Sequence, residues 1–224
     1  MGCLLKGGGG LYARLRIGAV LLAAGQGTRM GGVAKSLIRL QGVPLINRHL
    51  IALSGAGVDE VVVVTGHVRD AVEAQVQTFP VTLAHNADFA SGQQSSVRLG
   101  LSALSGNFDA VIILLADQPL IGATDLTELI AAFKKKPYGN IVMPMVGGQR
   151  GNPVVIDAEA RAQVLASETN LGCRNLMDRN PDMVFAHQTE NTRYITDLDT
   201  LEDLSQLAQR TGWKLELPAS EATA

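Results

Sequence analysis

The sequence predicts an α/β fold: a three-layer, open and mostly parallel sheet with a small C-terminal elaboration. Three observations carry that reading. Apolar runs rich in Val and Ile recur along the chain, most of them are continuously apolar rather than alternating, and between most of them lie stretches with apolar residues spaced by three and four. Continuously apolar strands suit a parallel sheet covered on both faces, and their alternation with helices makes a series of βαβ units.

The predicted strands are residues 17–24, 60–65, 81–85, 110–116, 141–145 and 154–156, and the helical spacing falls on 44–54, 70–77, 95–104 and 124–134. After Pro153 the pattern changes to a helix at 158–166, another near 173–179, short strands near 183–186 and a last helix from Leu201. That part reads as an elaboration closing the cleft. Residues 1–15 are expected to be a flexible extension, 16–213 a single domain and 214–224 a polar tail. In an open α/β sheet the ligand binds beyond the carboxyl ends of the strands, so the residues after each run are the candidates for chemistry.

Composition narrows the class. Apolar residues make up 46% and charged residues 18%, and the apolar runs fall far short of the ~20 residues a membrane span requires, so a soluble protein without a membrane partner is expected. Cys3 and Cys173 form no CxxC pair, which argues against a zinc site or a disulfide framework, and a cytoplasmic location is the default. The first ten residues lack the apolar stretch of a signal peptide, and Lys6 stands where a myristoylation signal needs Ser or Thr.

The net charge of −2 hides an asymmetry. Residues 1–58 hold seven basic side chains (Lys6, Arg14, Arg16, Arg29, Lys35, Arg39, Arg48) and no acid, whereas the remaining 12 basic and 21 acidic residues leave the rest at −9. A small polyanion is expected at the N-terminal part; nothing indicates nucleic acid. Plain surface solvation accounts equally for Arg14, Arg16, Arg39 and Arg48.

The segment from Leu21 to Lys35 leaves the first strand through four glycines and carries Arg29 and Lys35. Glycines let backbone N–H groups approach phosphate oxygens, and the two cations can neutralise a triphosphate. A Walker loop is excluded because Ala34, not Gly, precedes Lys35. The dinucleotide fingerprint has its first two glycines at Gly25 and Gly27, but Met30 occupies the third position and no acid follows before Asp59.

Residues 110–116 end in Asp117-Gln118-Pro119, which sets a carboxylate at the sheet's carboxyl edge, where it can hold Mg²⁺ or serve as a turn residue. Asp197 and Asp199 alternate on an extended segment and can complete a metal site, while Thr200 and Asp203 have the spacing of a capping box. Residues 86–96 follow the third predicted strand and open a helix; their small polar groups read a base edge or cap the helix. Residues 147–153 form a second glycine-rich turn with Arg150 and Asn152 available to a second substrate, although a plain hairpin explains the glycines as well. His67, after Thr65 and Gly66, stands where it can touch a nucleotide or be structural, and Trp213 is assigned to packing.

At Leu22-Ala23-Ala24-Gly25-x-Gly27-x-Arg29-Met30, followed by Lys35, the chain resembles the MobA-like NTP transferase superfamily, which has a Rossmann-like nucleotide-diphospho-sugar transferase fold. The resemblance implies a nucleotide site of Leu22, Ala23, Ala24, Gly25, Gly27, Arg29, Lys35, Gly66, Gly92, Ser96 and Asp117, with Arg29 and Lys35 on the phosphates. Asp117, Asp197 and Asp199 are the implied metal ligands, with Asp197 favoured over Asp199 as the partner of Asp117. Arg29, Lys35 and Asp117 are the implied catalytic residues, and Arg150, Gly151, Asn152 and Pro153 the acceptor site. Within the superfamily, residues 86–101, the motif at 114–119, GQRGNP and DLDT together resemble the molybdenum cofactor cytidylyltransferases. That likeness implies Mg²⁺-dependent transfer of CMP from CTP to molybdopterin, with pyrophosphate released and a molybdoenzyme or its chaperone as recipient. Ala23-Ala24-Gly25 goes with cytosine in that group, where guanylyl-transferring relatives carry Gly for the second Ala. Gly27-Thr28-Arg29 is equally common among sugar-phosphate nucleotidyltransferases, and Asn170 replaces an acid of the cofactor enzymes. A sugar or polyol phosphate acceptor, guanylyl transfer, and a non-catalytic delivery protein are the alternatives.

Overall fold

The computed structural model describes residues 14–167 and 172–218. Its order is β1 (Ile17–Ala23), β2 (Arg39–Leu40), β3 (Val43–Pro44), α1 (Leu45–Gly55), β4 (Glu60–Thr65), α2 (Arg69–Val76), β5 (Thr82–His85), α3 (Gln93–Ala103), β6 (Ala110–Leu115) and α4 (Ala123–Lys135). There follow β7 (Ile141–Val146), β8 (Gln149–Arg150), β9 (Val154–Ile156), α5 (Ala158–Ala166), α6 (Cys173–Arg179), β10 (Val184–Gln188), α7 (Leu201–Thr211) and β11 (Leu215–Glu216).

The main sheet has the order β10-β7-β9-β6-β1-β4-β5, with β8 paired to β7. The pairs β6–β1–β4–β5 and β7–β10 are parallel; β9 runs antiparallel between β6 and β7. Side chains of β1 alternate between the two faces. Ile17, Ala19 and Leu21 join Ile46 and Leu50 of α1, Val72 of α2 and Leu126 of α4 on one face, and Val20 and Leu22 join Val97 and Leu101 of α3 and Val164 of α5 on the other. With both faces covered no strand position is left for a polar residue, which is why every residue of β1 is buried and apolar or glycine. This is the three-layer, mostly parallel architecture that the sequence predicts.

The register decides where chemistry can occur. Leu22 pairs with Val64 on one side and Leu115 on the other, so β1, β4 and β6 end level, and Ala116 donates its backbone N–H to Leu22 O at 3.0 Å. The loop after β1 and Asp117 after β6 are thereby neighbours. Leu198 N–H donates to Asp117 O at 2.9 Å, which ties the C-terminal segment to the same edge.

One unexpected element is a three-stranded antiparallel sheet in the order β11-β2-β3. It belongs to a third apolar cluster formed by Met30, Ile38, Leu40, Leu45, Leu198, Leu204 and Leu207, with Trp213 and Leu215 packed against it. The polar tail expected from residue 214 therefore begins as a strand, because Leu215 finds an apolar partner there and its backbone a ladder beside Leu40. Trp213 packs, as expected, and also stacks under the Arg48 guanidinium at 5.0 Å. Residues 1–13 of the expected extension, residues 219–224 and Asn170 lie outside the described residues.

Candidate active site

Between β1 and β2 the chain makes two 3₁₀ turns, Thr28–Met30 and Lys35–Leu37. Gly27 starts the first with φ of +59°, and a Cβ there would lie 2.0 Å from Val33 O, so no side chain fits. Its carbonyl accepts from Met30 N–H and Gly32 N–H. Met30 is drawn into the third cluster as Arg29 points outward. The alternation of buried Met30 with exposed Arg29, followed by the second turn, sets both cations on the rim of one cleft.

That cleft, of about 610 Å³, is lined by Leu22, Ala23, Ala24, Gly25, Gly27, Arg29, Lys35, Gly92, Ser96, Asp117 and Asp199 of the predicted set. Asp199 accepts from both cations, from Lys35 Nζ at 2.5 Å and Arg29 Nη1 at 2.9 Å, and Lys35 Nζ lies 3.6 Å from Asp117 Oδ2. Asp199 is itself held by its backbone N–H on Asp203 Oδ2, at 2.9 Å, within the capping box that Thr200 and Asp203 form at the start of α7.

Asp117 carries the clearest electrostatic signature. Its Oδ1 is buried without a hydrogen-bond partner, although the side chain as a whole is 28% exposed. Burial raises its pKa; Lys35 opposes that rise and Asp199 adds to it. Asp197 is pushed up to about 6, first by burial and then by the neighbouring charges of Asp117 and Asp199. The three carboxylates thus share one electrostatic neighbourhood, but they do not converge on a common point. Among the described residues no group of three or more His, Cys, Asp or Glu side chains is arranged to hold a metal.

A second cavity of about 660 Å³ adjoins the first through Gln93 and Leu115, which line both. Arg150, Gly151 and Asn152 of the predicted acceptor set lie in it, together with Arg174 and Asp197, over an apolar wall that includes Met143 and Met177. Arg150 pairs with Asp178. Gln118, fully buried, donates to the carbonyls of Asn152 (3.1 Å) and Tyr194 (3.3 Å) and so hangs this wall on the residue after Asp117. Gly147 and Gly148, with φ of +55° and +84°, are the turn between β7 and β8, which makes them hairpin residues.

Two predicted site residues line neither cavity. Gly66 sits behind the loop, where a Cβ would lie 2.6 Å from Ala24 O; it permits close packing of β4's end and leaves Ala24 to form the cleft wall. Pro153 is buried where the chain turns into β9. Of the other basic residues of the N-terminal part, Lys6 lies outside the described residues. Arg14 pairs with Asp59, Arg16 lies over Phe108, Arg39 donates to Gly42 O and Arg48 lies over Trp213, so among the described residues of that part Arg29 and Lys35 are the cations that serve the cleft. Phe89, Gln93 and Ser36 also line the first cavity, and the motifs of the sequence do not single them out. Their signal is positional: Phe89 and Gln93 follow a strand at the sheet's carboxyl edge. His67 does not line the cleft but tilts against Phe89, with ring centroids 5.8 Å apart.

Residues 19–184 match the model of the MobA-like NTP transferase domain, which is most of the chain. The chain belongs to the MobA-like NTP transferases. It is 30% identical over 194 residues to the nicotine blue oxidoreductase of Paenarthrobacter nicotinovorans, covering 84% of this chain and 94% of that protein. It is also 38% identical over 117 residues to a bifunctional GlmU protein of Pelobacter propionicus, spanning 51% of this chain and about a quarter of that one. A nucleotidyl transferase from Methanothermobacter superposes with a TM-score of 0.71 at 22% identity, over 87% of this chain and 97% of the other. The CTP:phosphocholine cytidylyltransferase of Streptococcus pneumoniae does so with 0.65 at 16%, over 88% and 99%. These two likenesses establish the nucleotidyltransferase fold. Among the described residues no helix is long and apolar enough to cross a membrane.

Proposed function

We propose that this enzyme transfers a nucleoside monophosphate from an NTP to a phosphorylated acceptor, with CTP as donor and molybdopterin as acceptor. The observation that carries the reading is the pair of adjoining cavities, one bearing Arg29, Lys35 and Asp117, the other Arg150 and Arg174, meeting at Gln93 and Leu115. Two anionic substrates held in adjoining cavities can bring an acceptor phosphate oxygen into line with the α-phosphorus. That oxygen forms the new bond as the bond to the pyrophosphate oxygen breaks, and the pyrophosphate leaves toward Arg29 and Lys35. Positioning and charge stabilisation supply the acceleration, and no side chain needs to act as a nucleophile.

Asp117 fits a divalent cation on one observation, the buried Oδ1 that lacks a partner, and Asp197 is the second carboxylate beside it. Mg²⁺ characteristically takes one or two carboxylates and completes its shell with phosphate oxygens and water, neutralising phosphate charge when bound. Lys35 would hold the phosphates against Asp117, and Asp199 would have to yield its two cations to the incoming triphosphate. Ala23-Ala24-Gly25 on the cleft wall favours cytosine, and the CTP-using enzymes among the superposed folds are in keeping with it. The product would be passed to a molybdoenzyme or its chaperone.

Pyrophosphate release tests this reading, with CTP, GTP, ATP and UTP each offered with Mg²⁺ and molybdopterin or a sugar-phosphate mixture. Release with CTP and molybdopterin is expected. Release with sugar phosphate alone would keep the chemistry and replace the acceptor.

The relative named for an oxidoreductase, matched over 84% of this chain and 94% of its own length, favours a second reading, in which the two cavities hold a soluble reductant and an oxidised acceptor. Loss of NADH or NADPH absorbance with such an acceptor, and no pyrophosphate from any NTP, would establish it in place of the first.

A further inference from the structure

We infer that Asn86 fixes the hydrogen-bond polarity of the wall that meets the nucleobase, forcing Ser96 to donate its hydroxyl proton into the cleft, so that the bound base must present an acceptor there. The inference rests on the reading of the first cavity as a nucleoside triphosphate site.

Donors and acceptors along this wall can be counted one by one. Asn86, only 6% exposed, follows β5 and donates its backbone N–H to Thr65 O at 2.9 Å, which fixes it to the end of β4. Its side-chain Oδ1 accepts from Asp88 N–H at 3.0 Å. A backbone N–H can only donate, so the amide cannot be turned over: oxygen faces Asp88 and nitrogen faces α3. The two hydrogens on Nδ2 then go to Ser95 Oγ at 2.8 Å and Ser96 Oγ at 2.9 Å. Both serine oxygens are acceptors in these bonds, and each hydroxyl must send its own proton elsewhere.

The two serines differ in where that proton goes. Ser95 donates on to Gly92 O at 2.9 Å, with Asp88 O at 3.2 Å as an alternative, and its hydroxyl is fully used within the protein. Ser96 is 4% exposed, lines the first cavity, and its hydroxyl makes no other hydrogen bond among the described residues. A buried hydroxyl with an unspent proton needs an acceptor, and the cleft is where a ligand can bring one. Phe89 lines the same cavity and adds an aromatic side chain to it. Cytosine meets the demand through its O2 or N3. Asn86 is therefore a positioning residue: it acts on the base only through Ser96.

The test is isothermal calorimetry with CTP, and separately with inorganic tripolyphosphate, on the full-length wild type, Asn86→Asp, Ser96→Ala and the double variant. The Kd for tripolyphosphate divided by the Kd for CTP isolates the contribution of the nucleoside and cancels a general effect of charge on the phosphate end. An aspartate accepts where Asn86 donates, so the Ser96 proton turns away from the cleft; the ratio is expected to fall about tenfold. Ser96→Ala is expected to lose about as much, and the double variant no more than either single one. An unchanged ratio in Asn86→Asp, or losses that add in the double variant, would overturn the inference. Should Asn86→Asp fail to fold, an unchanged ratio in Ser96→Ala overturns it alone. A wild type that binds tripolyphosphate no more weakly than CTP also removes it, whereas binding of neither ligand removes the triphosphate reading itself.

Discussion

At the scale of single residues the cleft is an electrostatic balance in which two cations and two carboxylates hold one another. Lys35 stands between Asp199 at 2.5 Å and Asp117 at 3.6 Å, and Asp117 keeps one oxygen buried and unpaired. A carboxylate in that condition serves a ligand at the expense of the fold. Asp117→Ala is accordingly expected to lower pyrophosphate release measured in Mg²⁺ by at least about a hundredfold, while circular dichroism and Tm stay at or above wild type; an unfolded variant would contradict it. Lys35→Ala should raise the KM for NTP more than it alters the fold, since it leaves both carboxylates facing the phosphates, and unchanged NTP binding and rate would remove Lys35 from the site. His49 makes a third case. It is 1% exposed on α1, its ring faces the backbone of Leu115 and Ala116 without either nitrogen reaching hydrogen-bond geometry, and burial lowers its pKa to about 4, with Arg48 adding to the effect. The unfolded chain takes up its proton near pH 6.5 and the folded one only near 4, so stability that is full above pH 6.5 is lost as pH falls toward 4. Urea unfolding should show about 2 kcal/mol more loss between about pH 7 and pH 5 in the wild type than in His49→Leu; equal losses would mean that His49 is not buried in the neutral form. The charges and motif residues of this site are legible in the sequence, because Arg29, Lys35 and Asp117 follow strand ends. The pairing of Asp199 with them is not, as 170 and 164 residues separate it from Arg29 and Lys35. Asn86 lies inside the legible stretch 86–96, but its three bonds, to Asp88, Ser95 and Ser96, depend on the turn between β5 and α3, which residue types alone do not specify.

At the scale of elements, long apolar runs declare themselves and short ladders do not. β1, β4 and β6 are legible because burial on both faces demands consecutive apolar or small residues, seven in β1, six in β6 and the four valines Val61 to Val64 in β4. β2, β3 and β11 are two residues each and carry no period, and what makes them strands is the apolar cluster of Leu40, Leu45, Leu204 and Leu207 beneath them. This cluster also holds Met30, the residue next to Arg29. Truncation after Gly212 removes Trp213 and Leu215 from it and is expected to cost about 2–4 kcal/mol of stability, read as a lower midpoint of denaturation, with NTP binding weakened as well. A truncated chain of unchanged stability would show that β11 contributes nothing to the cluster.

At the scale of the whole molecule, the level ends of β1, β4 and β6 bring the loop after β1 and Asp117 together at one edge, and the fold class follows from alternating runs that the sequence displays openly. The separation into two cavities is less legible, since it depends on α3 delivering Gln93 between them. Two cavities with a shared wall predict direct transfer within a ternary complex. Initial rates at varied NTP and acceptor concentrations should give intersecting double-reciprocal lines; parallel lines would require a covalent nucleotidyl-enzyme and would overturn the direct displacement.

The reversed strand β9 has a consequence for how such a molecule can change. Because it runs against β6 and β7, the hairpin that carries Arg150, Gly151 and Asn152 leaves and re-enters the sheet at the same edge as the nucleotide loop, clamped by a strand at each end. Its tip at Gly147 and Gly148 lines neither cavity and belongs to no helix. On the reading of the second cavity as the acceptor site, residues grafted at that tip would change which acceptor is admitted while the lining of the first cavity stays as it is, so one scaffold could exchange clients without rebuilding its engine.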